Sequence, residues 1–148
     1  MRRVLLYTVL LVLVGACGLG EALTDYGESV LLKPRGLVGT WQNGTSRTIT
    51  FAEDGTFSAT DLPHEAFGHM LLEGFDPARD RLDGNGTWEI ETARAEASSV
   101  TMHFDEFGGR QTNSNGPELI AKRQEGIVYL VYYYIGERGN SWTAYHKP

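Results

Sequence analysis

The sequence predicts an all-β domain, an eight-stranded antiparallel up-and-down barrel with one helical or irregular insertion around 61–83. Three observations carry this. From Leu37 onward, apolar and polar residues alternate with a period of two in short runs. Turn residues such as Asn43-Gly44 and Asp54-Gly55 separate those runs. Eight runs follow one another with mostly short connections, and a meander of eight closes most naturally into a barrel, which leaves no exposed edge. A two-sheet sandwich is the alternative.

The elements follow in order. Leu37-Val38-Gly39-Thr40-Trp41 is the first strand, and Asn43-Gly44 ends it with residues that tolerate the positive φ of a type I′ turn. Arg47–Phe51 sets Ile49 and Phe51 on one face, and Thr56–Thr60 alternates after Asp54-Gly55. Residues 61–83 break the pattern. There Ala66, Phe67, Met70 and Leu71 recur at three- and four-residue spacing, as on a short helix, while Gly68 and Gly74 weaken it. This insertion is expected over the barrel wall or across its mouth.

Gly86–Glu91 then places Trp88 and Ile90 inward, with Glu89 and Glu91 outward. Val100–Phe104 turns Val100, Met102 and Phe104 inward, and Glu118–Arg123 is a weaker sixth strand. Ile127–Ile135 is apolar on both faces, with Tyr129 and Tyr133 on one and Val128, Leu130, Tyr132 and Tyr134 on the other. A solvated barrel wall should alternate, so the outer face of this strand calls for a cover or a partner protein. Ser141–Lys147 closes the chain.

The interior of eight strands is either filled by side chains or holds one small ligand. Trp41, Phe51, Phe57, Trp88, Met102 and Phe104 are the candidate lining for a small apolar ligand. Their bulk favours a filled core or a shallow pocket at one mouth, with only Ala59, Ala121 and Ala144 making room.

The amino end reads as an address. Met1-Arg2-Arg3 is positive, Val4–Val14 is uncharged and mostly Val and Leu, and Gly15-Ala16-Cys17 follows, the layout of a secretory signal peptide. Eleven helical residues rise only about 16 Å, short of the ~30 Å needed to span a bilayer. The expected plan is a leader at 1–16, a tether at 17–36 and the barrel at 37–148.

Val14-Gly15-Ala16-Cys17 resembles the bacterial lipoprotein signal. The resemblance implies a diacylglyceryl thioether on Cys17, cleavage before it and N-acylation, which would fix the protein to the extracytoplasmic face of the cell membrane. Gly39-Thr40-Trp41 resembles the Gly-x-Trp signature of lipocalin-like barrels, in which the Trp closes one end of the core. The leader, the two Gly-Thr-Trp tripeptides at 39–41 and 86–88, and Phe51-Ala52-Glu53-Asp54-Gly55-Thr56-Phe57 together resemble small secreted lipoproteins of actinobacteria. That family supplies no catalytic residue to carry over.

Charge narrows the partners. Lys and Arg number 13 against 19 Asp and Glu, for a net charge of -6. Removing 1–16 deletes two Arg and leaves -8, so nucleic acid is not an expected partner, and the domain is expected to stand off anionic headgroups. The single Cys, at 17, excludes a disulfide framework.

Catalytic and metal motifs fail on spacing. His64 and His69 lie five apart, about 140° out of register for two ligands on one helix face. Asp76, Asp80, Asp83 and Asn85 do not follow a calcium loop. Glu89 and Glu91 share a strand face about 7 Å apart, a separation also used by inverting glycosidases, but two outward acids are the ordinary wet face of a strand. No cofactor, metal or catalytic residue is expected. The expected function is a lipid-anchored envelope protein whose barrel binds a small apolar ligand, or alternatively a ligand-free barrel working through protein contacts.

Overall fold

Among the described residues the first strand is Glu28–Ser29 (β1), and a helical turn, Pro34–Leu37 (α1), follows it. The structure, a computed structural model, describes residues 26–93, 97–136 and 139–148. The leader and Cys17 lie outside the described residues. Nine strands come next: Gly39–Asn43 (β2), Arg47–Phe51 (β3), Thr56–Thr60 (β4), Gly84–Ala93 (β5), Ala97–Phe107 (β6), Arg110–Asn115 (β7), Leu119–Gln124 (β8), Ile127–Gly136 (β9) and Gly139–His146 (β10).

The barrel wall runs β2-β3-β4-β5-β6-β8-β9-β10 and returns to β2, every neighbour antiparallel. This is the closed eight-strand architecture that the alternation predicts. The parity rule is plainest in β4. In β4, Phe57 and Ala59 are buried while Thr56, Ser58 and Thr60 face water, because successive side chains leave opposite sides of the pleat.

β7 escapes the sequence pattern because Arg110-Gln111-Thr112-Asn113-Ser114-Asn115 contains no apolar residue to set a period. It pairs with the second half of β6 (His103↔Asn115, Phe107↔Arg110), and β8 pairs with the first half (Ser99↔Ile120). β7 and β8 are thus two parts of one irregular strand running beside β6. Gly116 joins them, its N–H donating to Met102 O at 2.9 Å.

The β2–β3 hairpin differs from a two-residue type I′ turn. Asn43 stays in register with Arg47, and Gly44 (φ +68°) takes the left-handed position of a longer loop. Asn43 is needed elsewhere: its Nδ2 donates to Ala144 O at 2.9 Å. The β10–β2 seam has a single register pair, His146↔Gln42. That side-chain bond and a second one, from Lys147 Nζ to Val38 O at 2.7 Å, extend it.

Two loops close the two ends. At one end, the segment 28–37 meets the barrel, with β1 pairing β8 and Leu37 buried. Val30 is buried, donating to Ala121 O and accepting from Ser98 N, and so fills the gap where β6 and β8 splay apart. Leu37 lies beneath the core, and Trp41 Nε1 donates to its carbonyl at 2.7 Å. At the other end, the insertion crosses the mouth through a chain of turns and a 3-10 turn at Gly68–Met70. Leu62 N–H bonds Leu82 O, and both side chains are buried with Phe67.

Candidate functional site

The six residues expected to line a ligand site divide by position. Trp41, Phe51, Phe57, Met102 and Phe104 are buried in the core. Phe51 lies 6.4 Å from Phe57, and Phe57 meets Phe104 edge-on at 5.0 Å, so three of the rings form one row. Trp41 is held apart at the α1 end, with Lys147 Nζ 5.3 Å from its ring. Trp88 is only half-buried, edge-on to Phe51 at 6.0 Å, with its Nε1 donating to Ala52 O.

Phe67 completes the row from outside the sheet. Its ring contacts Phe104 at 5.7 Å, Phe107 at 5.3 Å and Tyr132 at 5.3 Å, and it is fully buried. The space a ligand would take at this mouth is therefore occupied by the protein's own side chain. Burying a Phe is worth roughly 1.5–3 kcal/mol, and the buried Leu62, Ala66 and Leu82 of the insertion add to it.

Two phenols share this core. Tyr132 O–H points at Met102 Sδ at 3.9 Å, and burial holds its pKa well above the ordinary value, with Tyr145 nearby adding to the effect. Tyr145 is fully buried with no hydrogen-bond partner for its hydroxyl. Burial raises its pKa too; Arg47 works against that rise and Asp61 with it. Ala144, expected to make room inside, is a correction: it faces outward with Trp142, while Thr143 and Tyr145 turn in. Both faces of β10 carry apolar residues, so parity could not be read from the strand alone.

A second concavity lies on the outside of the barrel, on β5, β6 and the β7–β8 junction. It encloses about 610 Å³ and is lined by Thr87, Glu89, Glu91, His103, Asn115 and Glu118, among others. His103 is pinned from both sides, with Nδ1 2.6 Å from Asn115 Oδ1 and Nε2 2.6 Å from Asn113 Oδ1. The imidazolium can donate to both amide oxygens, whereas a neutral ring donates to only one. Asn115 first, and Asn113 next, accordingly raise the His103 pKa above its ordinary 6.5.

No protein-family model, curated protein or solved structure matches this chain.

The site must therefore be read from its own chemistry. Among the described residues, no group of three or more His, Cys, Asp or Glu is placed to hold a metal ion. No helix there is long and apolar enough to cross a membrane. Sequence reasoning missed the His103–Asn113–Asn115 arrangement, because β7 offers no periodicity and alternate positions on a polar strand look like a wet face. It also placed Phe67 on a helix face. The available signal for a plug was a large ring next to Gly68 in a segment without a strand period.

Proposed function

We propose that the protein is a lipid-anchored envelope component whose barrel is a solid scaffold, presenting its outer surface to other molecules rather than enclosing a ligand. One observation carries this reading: Phe67 is fully buried at the mouth, in ring contact with Phe104, Phe107 and Tyr132. The location rests on the resemblance of Val14-Gly15-Ala16-Cys17 to the lipoprotein signal. Two or three acyl chains on one Cys hold a protein firmly where one holds it marginally.

A ligand-binding reading has one observation in its favour. Phe67 is carried by turns and not by a strand, so withdrawal of the insertion would uncover the row Phe51, Phe57 and Phe104 without breaking the sheet.

The test is Cys17→Ser in a bacterial host fed radiolabelled palmitate. The wild-type chain should take up label and fractionate with membranes. The variant should lose the label and either leave the membrane fraction or stay unprocessed. Continued labelling of the variant would contradict the anchor.

A further inference from the structure

We propose that the outer wall of β9 and β10 lies against the bilayer, with Tyr26, Tyr133, Ile135 and Trp142 in the headgroup region. This rests on the anchor reading above and says which face of the barrel the anchor presents.

The wall is exposed and apolar. Ile135 is 85%, Trp142 40% and Tyr133 37% accessible. Trp142 stands opposite Tyr133 in register, and Ile135 is two residues farther along β9 on the same face. Tyr26 packs edge-on against Trp142 at 6.0 Å and Tyr129 at 5.2 Å, and its backbone N–H donates to the Tyr133 hydroxyl. Tyr and Trp have an apolar body and a polar tip, the combination that settles at a membrane–water boundary.

The two strands of this wall, ten and eight residues long, also carry no Asp, Glu, Lys or Arg. Among the described residues, the acids Glu89, Glu91 and Glu118 line the concavity on the β5–β6 side, and Glu137 and Arg138, which join the two strands, lie outside the described residues. Net charge alone keeps the domain off anionic headgroups. Two strands that carry no acid can approach such a surface where an acidic face cannot.

The chain's path points the same way. Eight residues lie between Cys17 and Tyr26, a reach of about 30 Å at full extension. Tyr26 sits on this wall, so the chain leaves for its anchor from the surface proposed to meet the lipid.

The test uses full-length lipidated protein in vesicles of phosphatidylcholine and phosphatidylglycerol with brominated acyl chains, which quench a Trp at the boundary. Trp142→Phe supplies the background from Trp41 and Trp88. Trp142 emission should be quenched by the lipid and shielded from aqueous acrylamide. Ile135→Asp, at a site too exposed to endanger folding, should abolish the quenching while the protein still floats with the vesicles.

Trp142 accessible to acrylamide and unquenched in an anchored chain would overturn the contact and leave the anchor standing. Trp142 shielded from both quenchers would assign the wall to a second copy or a partner protein and overturn it likewise. Quenching with Cys17 shown bare by mass spectrometry would sustain the wall and defeat the anchor. A bare Cys17 without quenching would defeat both.

Discussion

Phe67 stacks on Phe107 with ring centroids 5.3 Å apart and an interplanar angle of 27°. One ring comes from the insertion and the other from the end of β6, so the contact ties the cover of the barrel to its wall. Phe67→Ala should cost about 3–5 kcal/mol, as for other large-to-small core replacements. It should also leave an apolar hollow able to take up a small hydrocarbon. Denaturant unfolding and a benzene-protection experiment check both parts. An unchanged midpoint would show that Phe67 lies outside the core.

At the opposite end, Trp41 combines packing with a hydrogen bond. Trp41→Phe keeps most of the ring but removes the donor to Leu37 O, and should cost about 1–3 kcal/mol because a buried carbonyl is left unpaired. Trp41→Ala should cost about 3–5 kcal/mol. The difference between the two, read from unfolding midpoints, separates the bond from the ring. Equal losses would show that the ring contributes nothing.

Tyr145 runs the other way. Its buried hydroxyl has no partner, so Tyr145→Phe removes an unmet polar group and keeps the shape. Such replacements are neutral or stabilising. The thermal midpoint should hold or rise, and a clear fall would mean that the hydroxyl is satisfied in solution.

The His103 ring should titrate above 6.5, because Asn115 and Asn113 both accept from its charged form. A folded value above the unfolded one means that its stabilising contribution is complete below pH 6.5. That contribution is lost as pH rises through the folded value. An NMR titration of the ring Cε1–H should place the midpoint above 6.5, and Asn115→Ala should bring it back toward 6.5. A wild-type midpoint at or below 6.5 would show that the ring is not held between the two amides.

The wall of the barrel was legible because burial on one side imposes a period of two. That period shows plainly in Arg47–Phe51, Thr56–Thr60 and Val100–Phe104. β7 was not legible, since a strand of polar residues looks like a loop when no apolar side chain marks its inward face. The inward placement of Phe51, Phe57, Met102 and Phe104 followed from parity. Their enclosure did not, because it depends on Phe67, whose partners lie on β6 and β9, far away in the chain. The cover on the outer face of β9 was equally hidden. It comes in part from Tyr26, more than 100 residues before Tyr129, and local pattern carries no information about that contact.

The most direct measurement is a titration of the wild-type protein with the apolar fluorophore N-phenyl-1-naphthylamine, alongside Phe67→Ala. A core closed by its own side chains predicts no saturable enhancement for the wild type and a saturable one for the variant. Tight, saturable uptake by the wild type would contradict the account and make the barrel a vessel for a ligand.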